Sequence, residues 1–212
     1  MNHGLIFRGP GLVYDYSVRW ENKNRIIDYS SRFGFSYLES RKIGGGNINF
    51  IPLNLRYLFK PNEESHFTIG PQLIADYNYE LYPDFQSGYS FWFTNFSVAI
   101  ASQYKFNINQ NLFRLSLGST LYGFTSRPQE YDNPYFFDSS LGYVIKFIHQ
   151  DLKSGSLNRY NHTEFEFRWQ PKSESRMAIA YDLQYYGYFK EPEVIIINHM
   201  FKFVLLPRIS KK

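Results

Sequence analysis

His66-Phe67-Thr68-Ile69-Gly70-Pro71-Gln72-Leu73-Ile74-Ala75-Asp76-Tyr77-Asn78-Tyr79 alternates two kinds of side chain. Phe67, Ile69, Pro71, Leu73, Ala75, Tyr77 and Tyr79 form one series, and His66, Thr68, Gly70, Gln72, Ile74, Asp76 and Asn78 form the other. Successive side chains of a β-strand point to opposite faces, so this segment has one apolar face and one largely polar face.

The same two rows recur along the chain. Leu12, Tyr14, Tyr16, Val18 and Trp20 oppose Gly11, Val13, Asp15, Ser17 and Arg19. Ile27, Tyr29, Phe33, Phe35 and Tyr37 oppose Asp28, Ser30, Arg32, Gly34 and Ser36. Further strands are expected over 95–106, 112–123, 162–169, 176–189 and 194–206. Residues 47–60 fit with one slip of phase at Phe50-Ile51-Pro52, which predicts a β-bulge, a place where Pro is tolerated.

Volume decides which row faces inward. The apolar rows hold mostly Phe, Tyr, Leu and Ile, too bulky together for the inside of a small barrel. The opposing rows hold Gly, Ser, Ala and Thr with isolated charges. The expected architecture is therefore all-β: one domain over 1–212, a closed antiparallel transmembrane β-barrel, apolar outside and polar inside. Aromatics at the row ends (Trp20, Phe59, Phe106 and Trp169) suit an interfacial girdle.

Composition agrees. The chain has 212 residues, 21 Phe, 19 Tyr, 3 Trp and no Cys. A mean hydropathy of −0.42 looks water-soluble, but in such a barrel the polar row cancels the apolar row in any average. No apolar run reaches the length of a membrane helix. Without Cys there are no disulfides and no thiolate metal sites. The net charge of +4 comes from scattered residues, so no nucleic-acid patch forms and no nucleic-acid partner is expected. Met1-Asn2-His3-Gly4 is not a basic start followed by an apolar run, so an exported chain is expected here in mature form or with its true start upstream.

Turn lengths set the orientation. Glu21 to Arg25, Pro61 to Ser65, Asn107 to Asn111 and Pro171 to Ser175 are short. Ser40 to Gly46, Glu80 to Ser90 and Thr125 to Tyr160 are longer. Short turns belong on the periplasmic side and long ones outside. Within the longest, Leu141, Ile145, Ile148 and Leu152 recur at helical spacing, which predicts a short helix over 139–153. These segments make about nine strands, whereas antiparallel closure normally takes an even number. Either Gly4 to Arg8 is a short tenth strand turning at Gly9-Pro10-Gly11, or an N-terminal strand is missing. Ten strands are expected, with eight and twelve as the alternatives.

In its alternating rows and its aromatic segment Leu81-Tyr82-Pro83-Asp84-Phe85-Gln86-Ser87-Gly88, the chain resembles the small Tyr-rich outer-membrane β-barrel proteins of the Bacteroidota type. The resemblance covers nearly the whole chain. It implies a Gram-negative cell envelope as location and outer-membrane lipid as surroundings. Such barrels include pores, enzymes, adhesins and subunits of larger machines, so it implies a fold and not a function.

Three sets of residues are candidates for function. The inner rows carry Asp15, Arg19, Asp28, Arg32, Arg56, Asp76, Arg114, Glu164, Glu166, Arg168, Arg176, Asp182 and Lys202. Buried charges must be paired, so these are expected to form an interior ion-pair network, the alternative being a polar path for a small solute through a narrow channel. Tyr82, Phe85, Tyr89, Tyr135 and Phe136 place aromatics in the long connections, where they could anchor a protein partner or pack on one another. His149, Asp151, Ser154 and His162 could be read as the base, acid and nucleophile of a lipid hydrolase at the rim, against a default reading as solvated loop residues. His3, His66 and His199 lack metal-ligand spacing, and Gly44-Gly45-Gly46 lacks the Lys-Ser/Thr of a phosphate loop, so no metal or cofactor is expected. The leading functional expectation is a non-enzymatic barrel with a structural or interaction role, as an accessory subunit of a larger envelope complex. A lipid hydrolase, a narrow channel and a soluble ligand-binding barrel are the alternatives.

Overall fold

The computed structural model describes residues 8–40, 43–82, 89–127, 145–146, 148–149, 152–172, 175–189 and 194–205. They form ten strands: β1 (Gly11–Glu21), β2 (Arg25–Ser40), β3 (Ile43–Phe59), β4 (Phe67–Tyr82), β5 (Tyr89–Ile108), β6 (Asn111–Ser126), β7 (Lys153–Ser156), β8 (Tyr160–Gln170), β9 (Met177–Tyr188) and β10 (Val194–Leu205). All lie in one antiparallel sheet that curls into a nearly closed barrel.

Where a short turn joins two consecutive strands, they pair as antiparallel neighbours. The β5–β6 turn has two central residues, Asn109 and Gln110, both left-handed at φ 47° and 70°, the geometry that continues the right-handed twist of a hairpin. The expected bulge is present. Between Phe50 and Leu53, β3 carries one residue more than β4, and β2 meets the same excess between Ser30 and Arg32. Pro52 sits in it, where no ladder N–H is required, and its carbonyl accepts from the Tyr29 hydroxyl at 3.0 Å.

The two rows separate as their volumes demand. Outward lie Phe33, Phe35, Leu73, Ile100 and Leu117, all about half exposed. Inward and fully buried lie Gln72, Asp76, Asn95, Thr120 and His162. Near the short-turn end, outward rings of β5, β6 and β8 stack in a row: Tyr104 on Phe106 of the same strand at 5.8 Å, Phe106 on Phe113 at 5.2 Å and Phe113 on Phe167 at 5.9 Å.

Four expectations need correction. First, Gly9-Pro10-Gly11 is not a turn. The Arg8 and Glu39 amides and carbonyls bond reciprocally at 3.0 and 2.8 Å, and the Tyr37 amide donates to the Pro10 carbonyl at 3.0 Å, so the chain extends β1 in register. The partner strand overrides local turn chemistry; residues 4–7 of the short strand expected over Gly4 to Arg8 lie outside the described residues.

Second, the tenth strand is not an additional wall position. β7 and β8 both pair with β6, β7 beside Tyr122–Thr125 and β8 beside Leu112–Ser119. They are two pieces of one broken strand. Third, closure is incomplete: the pairing path β1-β2-β3-β4-β5-β6-β8-β9-β10 has nine members, and among the described residues its two ends are not hydrogen-bonded to each other.

Most of the helix expected over 139–153 lies outside the described residues; of those described, Ile145, Lys146 and Ile148 have helical backbone and Lys153 belongs to β7. Fourth, the connection expected over Ser40 to Gly46 is mostly strand among the described residues. A side chain at Gly45 would run into the Tyr82 ring and the Leu81 carbonyl, so the glycine there admits a neighbouring ring rather than a turn.

Candidate functional site

The inward row forms stacked layers of polar contacts across the lumen. At the short-turn end Glu21 of β1 takes Lys60 at 3.0 Å and Lys105 at 2.8 Å, and Arg19 donates to Asp28 at 3.1 Å and to Gln103 of β5 at 2.8 Å. β1 and β5 are not neighbours in the sheet, so the Glu21–Lys105 and Arg19–Gln103 contacts span the interior. Burial alone would push the Glu21 carboxyl up. The Lys105 hydrogen bond, the Arg19 charge and Lys60 outweigh it and hold the group at about 2.

The middle layers are ionic. Glu166 pairs with Arg114 at 3.2 Å and Arg168 at 3.1 Å. Glu164 of β8 pairs with Arg56 of β3 and accepts from Gln72 of β4 at 2.6 Å, again across the lumen. Four further charges close a square between the two ends of the sheet. Arg32 holds Asp15 at 2.6 Å and Asp182 at 2.8 Å, and Lys202 reaches the same two carboxylates at 2.6 Å each. Low-dielectric surroundings make each pair costly to break, since removing one partner strands a buried charge.

Above them the interior is polar but less charged. Asp76 accepts from Asn49 at 2.9 Å and from Asn78 at 3.3 Å. His162 stacks on Tyr186 with ring centres 4.3 Å apart. At the long-connection end Phe93, Tyr160 and Tyr188 cluster, with the Arg127 guanidinium 4.3 Å over the Tyr188 ring. This aromatic layer, all of it buried, caps the lumen.

The expected network is therefore assembled: Asp15, Arg19, Asp28, Arg32, Arg56, Arg114, Glu164, Glu166, Arg168, Asp182 and Lys202 all make ion pairs, and Asp76 joins through amides. Arg176 does not belong to it; it precedes β9 at the short-turn end and is exposed. Glu21, Lys105, Asn54, Gln72, Gln103 and Gln184 were missing from the expectation, yet share the parity of the charges on their own strands.

The hydrolase residues are not brought together. His162 faces the lumen, 1% exposed. His149 lies instead against the outward residues Tyr77 and Phe96, its Nε2 3.1 Å from the Tyr77 hydroxyl and its ring stacked on Phe96 at 5.7 Å. The barrel wall stands between the two histidines. Ser154 lies in β7, and Asp151 falls outside the described residues.

Of the aromatic anchors, Tyr82 turns inward, 5% exposed, and donates to Glu80 at 2.6 Å, which removes it from any outer recognition surface. Phe85, Tyr135 and Phe136 lie outside the described residues, as does the side chain of Tyr89. No cluster of metal-ligating side chains occurs among the described residues. In comparisons with protein families, curated proteins and solved structures, the chain matches none.

Proposed function

We propose that this chain is a non-enzymatic β-barrel of a bacterial outer membrane, and that it works through interaction, as an accessory subunit of a larger envelope complex. One observation carries the membrane reading. Phe33, Phe35, Ile69, Leu73, Ile100, Leu117 and Phe203 face outward and exposed, while Asp76, Gln72, Glu164, Asp182 and His162 are buried inside. In water this arrangement is inverted; in lipid it satisfies both rows. The stacked Tyr104-Phe106-Phe113-Phe167 row then lies at the periplasmic interface, and the Trp169 indole N–H, 3.3 Å from Asn111, points to the turn beside it.

The filled lumen favours interaction over transport. Side chains meet across it at Arg19–Gln103, Lys105–Glu21 and Gln72–Glu164, and a buried aromatic layer caps it. A barrel of this width is occupied by its own side chains. The strands also exceed a membrane crossing: β2 to β6 run 16 to 20 residues, against about 9–11 for one span. With short turns on the periplasmic side, the excess stands outside the lipid and offers partner surface.

The test is affinity isolation of the tagged protein from its own membranes in mild detergent. A stoichiometric partner, with the barrel insoluble until detergent is added, is the expected result. Recovery in the aqueous fraction without detergent would overturn the membrane reading. A detergent-dependent barrel that always comes alone would overturn the subunit reading.

A further inference from the structure

We propose that the gap between β1 and β10 is a docking site for one β-strand of a partner protein, running from the periplasmic end outward and hydrogen-bonded to both edges. This deepens the interaction reading above and rests on it.

The direction follows from parity. Along the path of nine, neighbours are antiparallel throughout, so β1 and β10 run the same way, toward the short-turn end. Only a strand running the opposite way can be antiparallel to both. Among the described residues the facing edges of β1 and β10 carry no ladder bonds over 11 and 12 residues. Lipid offers nothing to those N–H and C=O groups, and an open sheet edge is not sustained in hydrocarbon.

Exposure marks the same place. Outward residues in the continuous wall are roughly half exposed, such as Phe33 at 51% and Ile100 at 42%. Beside the gap, Leu12 is 82%, Tyr14 71%, Phe201 82% and Phe203 91% exposed. Val13, on the inward row of β1, is 40% exposed, so the gap opens the interior as well as the edge.

The gap also specifies what fits. The charges beside it, Asp15, Arg32, Asp182 and Lys202, are two acids and two bases already paired to one another. An incoming inward row must therefore be small and uncharged, because an added charge would compete with a closed square. Its outward row must be large and apolar, to continue the belt from Tyr14 and Phe201. This is strand addition, in which backbone bonds give affinity and alternate side chains give specificity.

A second copy in the same membrane orientation fits less well: it presents only the same two edges, both running the wrong way.

The experiment places a photocrosslinking amino acid at Tyr14, Trp20, Ile195 or Phe201 of the full chain in its native cells, with Ile100 in the continuous wall as control. The expected result is that all four seam positions, and not Ile100, capture one peptide of one partner. The N-terminal part of that peptide should link to Trp20, nearest the periplasmic end, and its C-terminal part to Ile195. Capture of a segment of the chain's own polypeptide, of a second copy, of β1 by β10, or of lipid alone would overturn the proposal. So would a partner captured only from one edge. A partner that co-isolates in detergent yet never links to the seam would leave the interaction reading standing and remove this one.

Discussion

At the scale of the residue, Glu164 is the most consequential interior group. It is 5% exposed and faces Arg56, Gln72 and Asn54 from across the lumen. Glu164→Ala leaves the Arg56 charge buried without its partner, at an expected cost of about 3–5 kcal/mol. Denaturant unfolding in detergent micelles measures it, and Arg56→Leu combined with Glu164→Leu should recover most of the loss. Gly118 is tied to the same layer: a Cβ there would stand 2.5 Å from Gln72 Oε1 and 3.1 Å from Glu164. Gly118→Val is expected to destabilise by about 1–3 kcal/mol in the same assay.

Glu21 gives a pH dependence. Its carboxyl is held near 2 in the fold, below its ordinary 4.5. A depressed carboxyl contributes stability that is fully present above its unfolded value and is lost as pH falls through the folded one. The deficit of Glu21→Gln relative to the parent should therefore be full at neutral pH and close between about pH 4.5 and 2. With the side chain one-third exposed, solvent screening keeps the deficit small. Thermal unfolding at stepped pH reads it, and a deficit unchanged across that window contradicts the assignment.

At the scale of the element, alternation was legible wherever the two rows differ in chemistry. β4 could be read residue by residue, because Asp76 and Asn78 flank Tyr77 and Gln72 flanks Leu73. The bulge in β3 was legible too, since Pro52 marks a position without a donor where the parity also slips. A second bulge was not. Between Val98 and Ala99 of β5, β6 carries the extra residue Leu121, and both Leu121 and Tyr122 face outward. Two consecutive apolar residues without Gly or Pro leave no mark in the pattern.

Gly9-Pro10-Gly11 misled in the opposite sense, because turn-forming residues were overruled by hydrogen bonds between Pro10 and Tyr37 and between Arg8 and Glu39, 27 and 31 positions apart. The ion pairs were legible as a set of inward charges, but their pairing across the lumen depends on curvature that no single strand encodes. The bulge makes a deletion test specific. Removing Pro52 restores regular alternation between Phe50 and Leu53 and should leave the barrel able to refold. Removing Leu73 from the regular β4 turns Asp76 and Asn78 outward and should abolish refolding. Circular dichroism and protease resistance after refolding into detergent distinguish the two.

At the scale of the whole molecule, sequence pattern and structure agree on an inside-out distribution of polarity, and closure is where they part. Parity read from turn lengths exposed an odd strand count, and β7 with β8 supplies the tenth strand without supplying a tenth wall position. The filled interior argues for a barrel that does not conduct. In planar bilayers no ion conductance is expected from the parent protein, and steady conductance that changes in Arg32→Ala or Arg114→Ala would contradict that.

The central claim is that the large apolar row meets lipid. The chain has no Cys, so single cysteines can be introduced at outward Phe35, Leu73 and Ile100 and at inward Gly34, Gln72 and Ala101, and each labelled with an environment-sensitive fluorophore before refolding into lipid vesicles. The account requires the outward labels to be quenched by lipid-borne quenchers and shielded from aqueous ones, while their inward neighbours are not quenched from the lipid. Outward labels quenched equally from water, on protein that stays in the aqueous phase without lipid, would contradict it.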